Sequence, residues 1–131
     1  MSTRVDIRNA VISILENTGK FYKVHKEPTD IEKERSFPVA WVNLSSEMIL
    51  DGAISTTCYM RQVGLEISIG VKHGTIDTDL DELIDYTFNF IKDEFTLNGV
   101  AINTTPVDIV TDRGYFHPYA IASLNFLVTT R

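Results

Sequence analysis

The chain is poor in the residues that metal and nucleophile chemistry most often uses. Among its 131 residues there is one cysteine, Cys58, and three histidines, His25, His73 and His117. A single cysteine excludes an intrachain disulfide and any multi-cysteine zinc site built from one chain. The histidines are too far apart in sequence to pair with one another at helical spacing, so no His-Glu metal helix is present. With seven glycines and four prolines, no phosphate-cradling glycine loop, dinucleotide fingerprint or nucleophile elbow occurs. Positive charge is also scarce. Twelve lysines and arginines against eighteen carboxylates leave a formal net charge of −6. That balance argues against gripping a phosphate backbone or an anionic membrane, both of which need clustered cations. No apolar run approaches the roughly 18 residues that span a bilayer, and Met1 to Arg8 lacks the apolar core of a signal peptide. The expectation is a soluble protein made in the cytoplasm, without catalytic machinery.

What is present is enough for one core. Hydrophobic residues make up 44% of the chain, and 131 residues is one domain's worth. A first helix is predicted from Thr3, an N-cap with Asp6 three residues on, followed by Val5, Ile7, Val11, Ile12, Ile14 and Leu15 at helical spacing. Asn17-Thr18-Gly19 ends it. Phe21 to Lys26 reads as a short strand, and Glu27 to Arg35 as a charged loop marked by Pro28.

Phe37 to Leu44 reads as a central strand, with Val39 and Trp41 on one face and Ala40, Val42 and Leu44 on the other. The strongest pattern runs from Tyr59 to Lys72: Tyr59, Val63, Leu65, Ile67, Ile69 and Val71 share one face, and Arg61 is the single break in it. Burying such a set is worth about 10 kcal/mol before entropy is counted. Between these strands, Ser45 to Thr57 is expected to be a long loop. It contains an Asp51-Gly52 turn signal and four apolar residues, Met48, Ile49, Leu50 and Ile54.

A second helix is expected to open at Asp77, with further carboxylates at Asp79, Asp81 and Glu82 against the positive helix start. Leu80, Leu83, Ile84, Thr87, Phe88, Ile91 and Phe95 would form its buried stripe, and Asn98-Gly99 its end. An interrupted strand over 100–110, a turn at Asp112-Arg113-Gly114 and a last strand from Tyr119 to Thr130 complete the order α-β-β-β-α-β-β. This predicts a single α+β domain over residues 1–131, a two-layer sandwich with two helices packed on a mainly antiparallel sheet. The acidic run Asp77 to Glu82 has carboxylates at alternate positions but places Glu82 and Phe88 where a calcium loop needs glycine and glutamate, so it is not an EF-hand. Helix capping accounts for it.

Taken together, Thr3 to Leu15, the strand Phe37 to Leu44, the strand Val63 to Val71, the helix start Ile76 to Leu80 and the segment Ala120 to Thr130 resemble the tail terminator (minor tail protein U) family of lambda-like bacteriophages. The match is one of pattern and spacing, and it covers the whole chain. The resemblance implies a virion protein, made in the host cytoplasm, that forms a homo-hexameric ring on the finished tail tube at the neck end of the tail. Such a ring stops tube polymerisation and offers a surface to the head-tail connector or stopper protein. DNA would pass through its lumen without specific binding, which suits a net-negative ring. It further implies subunit and tube contacts from the 45–57 segment, with Met48, Ile49, Leu50, Ile54 and Arg61 as candidates. No cofactor is implied beyond a weak magnesium site at a subunit junction, for which Asp77 and Asp79 are the candidates. Two structural alternatives are another neck ring, stopper or adaptor, and the terminator of a tail-derived secretion system. A small metal-dependent enzyme using Asp77 to Glu82 with His73 or His117, and a ligand-binding module, are the alternatives from other classes.

Overall fold

The computed structural model describes residues 3–27, 37–55, 58–72, 80–112 and 119–130. Helix α1 (Arg4–Asn17) is followed by strands β1 (Lys23–His25), β2 (Val39–Ser55) and β3 (Cys58–Lys72). Helix α2 (Leu80–Asp93), β4 (Asn103–Asp112) and β5 (Tyr119–Thr130) complete the chain. The element order is α-β-β-β-α-β-β, and the α+β layout is the one the residue pattern predicts.

Helix α1 starts where Thr3 closes a capping box: its hydroxyl accepts from the Asp6 amide at 3.1 Å, and the Asp6 carboxylate accepts from the Thr3 amide at 2.9 Å. These bonds satisfy amides that the first turn would otherwise leave unpaired. Ile7, Val11, Ile14 and Leu15 point inward, whereas Val5 is exposed. Gly19, with φ of 69°, turns the chain away two residues past the helix.

Helix α2 buries Leu80, Leu83, Ile84, Thr87 and Ile91. It ends at Asp93, one turn sooner than the sequence suggested. Residues 94–100 form turns in which Leu97 and Asn98 take φ of 49° and 58° ahead of Gly99 at 90°. Phe95 therefore leaves the buried stripe and is exposed, while Leu97 takes a core position. The turn is tied down where the Thr104 hydroxyl donates to the Phe95 carbonyl at 2.9 Å and the Thr130 hydroxyl donates to the Val100 carbonyl at 3.0 Å.

The five strands form one sheet in the order β1-β2-β3-β5-β4. Only β1 and β2 pair in parallel; every other neighbour pair is antiparallel. Both helices pack on the same face, α1 over β1 and β2, α2 over β5 and β4. Between helices and sheet lie Ala40 and Val42 of β2, Val63 to Val71 at alternate positions of β3, and Ala122, Leu124, Phe126 and Val128 of β5. The opposite face holds a smaller cluster of Phe37, Val39 and Trp41 against Tyr119 and Ile121. Burial of both faces of β2 over Val39 to Val42 is why it reads as apolar on two sides, and burial of one face of β3 is why it alternates strongly.

The edge strand β4 begins at Asn103; residues 100–102 belong to the preceding turn. Pro106 and a register shift between Pro106 and Asp108 sit inside it. A proline and a bulge are tolerated there because an outer edge has no ladder partner to lose. Among the described residues no helix is long and apolar enough to cross a membrane.

Candidate functional site

The segment expected to be a loop is a β-hairpin arm. Strand β2 runs on to Ser55 and pairs with β3 through Met48↔Gln62, Ile49↔Arg61, Leu50↔Met60 and Ser55↔Cys58. A bulge hides the strand in the sequence. Leu44 pairs with Leu65 but Glu47 with Val63, so β2 carries one residue more than β3 between those pairs. The inward residues of β2 are accordingly even-numbered up to Leu44 and odd-numbered from Glu47. Periodicity broken in this way across Ser45-Ser46 resembles irregular chain.

The arm outruns the rest of the sheet. Pairing of β3 with β5 ends at Arg61↔Thr130, and three further residues, Cys58 to Met60, carry β3 about 10 Å past that point. Beyond Arg61 the described strands have only each other. A two-stranded ribbon of this kind is marginal by itself in water. Its root exposes two large apolar side chains, Met48 at 62% and Ile49 at 63%, and the pleat sends them to opposite faces. Of the other contact candidates, Leu50 lies in β2 with its backbone paired to Met60. The side chains of Leu50 and Ile54 are outside the described residues.

Charged contacts fix the root. Glu47 accepts from Arg61 Nη1 at 2.8 Å and lies 3.5 Å from Arg4 Nη1. Arg4 Nη2 donates to the carbonyls of Leu44 and Ser45 at 3.0 and 2.9 Å, at the bulge itself. Thus Arg61, the one break in the inward face of β3, faces a carboxylate that the bulge has turned to the same side. The first residue of α1 holds the bend. A side chain at Gly64 would meet the Ser45 hydroxyl, since a Cβ there would lie 2.1 Å from it. Sequence reasoning found Arg61 but missed Arg4, Glu47, Ser45 and Gly64. The sequence carries no clear signal for the bulge, because Met48 keeps the even phase of Leu44 and Met48-Ile49-Leu50 do not alternate, and nothing local marks Arg4.

Among the described residues, the other expected positions do not come together. Asp77 and Asp79, with His73 and His117, lie outside the described residues. Asp81 and Glu82 occupy the first turn of α2, exposed, where the helix dipole favours them. His25 is in β1, on the far side of the sheet order from α2. No cluster of three or more potential metal ligands occurs among the described residues. No protein-family model and no curated protein matches the chain.

Proposed function

We propose that this chain is a structural, non-enzymatic assembly protein that associates with copies of itself through the β2–β3 arm and works as a ring at the neck end of a bacteriophage tail. In that role a homo-hexamer caps the tail tube, ends its polymerisation and presents a surface to the head-tail connector. The supporting observation is the arm: a paired ribbon that extends past the sheet, exposes Met48 and Ile49 and is braced at its root by Arg4, Glu47 and Arg61. Apolar side chains on a projecting, weakly supported ribbon gain most when they are covered by a neighbour. The whole-chain resemblance to tail terminators supplies the tube and the ring number. The net charge of −6 suits a lumen through which DNA slides without adhering.

The test of the tail role is a virion one. A phage lacking this gene should accumulate overlong tails without joined heads, and supplying the chain in trans should restore normal length. Tails of normal length in its absence would contradict the terminator role.

A further inference from the structure

The distribution of charge across the fold, rather than its sum, points to how two copies meet. Residues 3–27, which form α1 and β1, hold five lysines and arginines against three carboxylates. Residues 80–111, which form α2 and most of β4, hold six carboxylates against one lysine. The sheet order puts β1 and β4 at opposite edges, with α1 above the first and α2 above the second. Among the described residues, the β1 edge is therefore net basic and the β4 edge strongly acidic.

The basic end is concave. A cavity of about 170 Å3 opens between α1, the end of β1 and β2, lined by Arg4, Arg8 and Lys26 with Glu27 as its acid and Val5 and Leu44 among its apolar walls. Arg8 Nε is buried and has no hydrogen-bond partner among the described residues. Two arginines and a lysine around one opening attract a carboxylate, the group that matches the guanidinium fork. Cofactor and drug-sized ligand sites run to about 300–1,000 Å3. This cavity is below that range and suits the end of a side chain.

At the acidic end, Asp81, Glu82 and Asp85 are exposed on α2. Lys20, just after α1, lies over the Tyr86 ring at 4.9 Å, so the Tyr86 flank of α2 is the one toward α1. At about 100° per residue, Asp81 and Asp85 fall on the flank away from α1.

We propose that the Arg4–Arg8–Lys26 cavity of one copy receives the carboxylates of the first turns of α2 from a second copy, so that subunits pack basic end to acidic end. Because the two surfaces differ and lie at opposite edges, the contact is heterologous, and repeated with rotation it closes into a ring. This rests on the self-association proposed above and names its electrostatic half; the arm supplies the apolar half.

Light scattering and sedimentation of charge-reversed chains test it. Arg8→Glu with Lys26→Glu should weaken self-association at least about tenfold at low salt, and Asp81→Lys with Asp85→Lys should do the same. Mixing the two variants, or combining all four changes in one chain, should restore assembly. Lys26→Glu alone, on an exposed side chain, keeps the test open if Arg8→Glu disturbs folding. Assembly of each reversed chain at wild-type strength would overturn this contact and leave self-association through the arm standing. Loss of assembly in the cavity variant that no reversal on α2 rescues would assign the cavity to another acidic partner and likewise overturn it. A wild-type chain that stays monomeric at every concentration, with or without tail tubes, would remove the self-association itself.

Discussion

The Ser45 hydroxyl occupies the space that a side chain at Gly64 would need, 2.1 Å from where a Cβ would stand. The glycine thus lets the β2 bulge close over β3 at the root of the arm. Gly64→Ala should force Ser45 into another rotamer, at a cost of about 1 kcal/mol. In a Ser45→Ala background the nearest atom is the Ser45 Cβ at 3.5 Å, an ordinary contact. Denaturant unfolding of the four chains of this cycle should show the Gly64→Ala penalty vanish when Ser45 is alanine. An equal penalty in both backgrounds would contradict the arrangement.

Glu47 is shared by Arg61 at 2.8 Å and Arg4 at 3.5 Å, with Arg4 at 42% side-chain exposure. Exposed ion pairs are worth little, so Glu47→Gln should cost no more than about 1 kcal/mol globally. Its effect should be local: amide exchange of residues 48–50 and 60–62 should speed up well beyond that of the β3–β5 core. Uniform acceleration across the sheet would mean the contact acts on the whole fold.

Thr87 is fully buried on α2, and its hydroxyl has no partner among the described residues. Valine has nearly the same shape and no polar atom. Thr87→Val should therefore be neutral or stabilising, by up to about 1 kcal/mol, read as a melting temperature unchanged or raised by a few degrees. A clear loss of stability would show that the hydroxyl is bonded.

The Asp6 carboxyl is held below its ordinary value, first by the Thr3 amide and then by the Thr3 hydroxyl, with the N-terminal charge assisting. A lowered folded-state pKa adds stability that is complete above the ordinary carboxylate range and is lost as pH falls through the folded value. Helix α1 should thus fray at its start under acid conditions. Thr3→Ala should remove about 0.5–2 kcal/mol at neutral pH and raise the Asp6 pKa part of the way back in a carbon-detected titration, since the hydroxyl is lost and the residue-3 amide stays. An Asp6 titration unmoved by that change would contradict the capping box.

The parts of the fold legible in the sequence were those where one physical signal dominated. Val63 to Val71 and Ala122 to Val128 alternate strictly because each has one face under the helices. Thr3 and Asp6 announced α1 because a cap needs those side chains at that spacing. The arm was illegible as strand because one inserted residue at Ser45-Ser46 breaks its alternation and Asp51-Gly52 lies in a second register shift, between Leu50 and Ser55. Its apolar residues were visible, whereas its brace from Arg4 was not, since a contact 43 residues away in sequence leaves no local mark. The end of α2 was misplaced because Phe95 continues the helical spacing after the backbone has left the helix.

The central claim is self-association through the arm, and sedimentation velocity tests it most directly. The wild-type chain should convert with rising concentration to a single ring-sized species. Met48→Glu with Ile49→Glu, placed on side chains already exposed, should sediment as a folded monomer with an unchanged circular dichroism spectrum. A wild-type chain that remains monomeric throughout, or a Met48→Glu, Ile49→Glu variant that assembles as the wild type does, would contradict it.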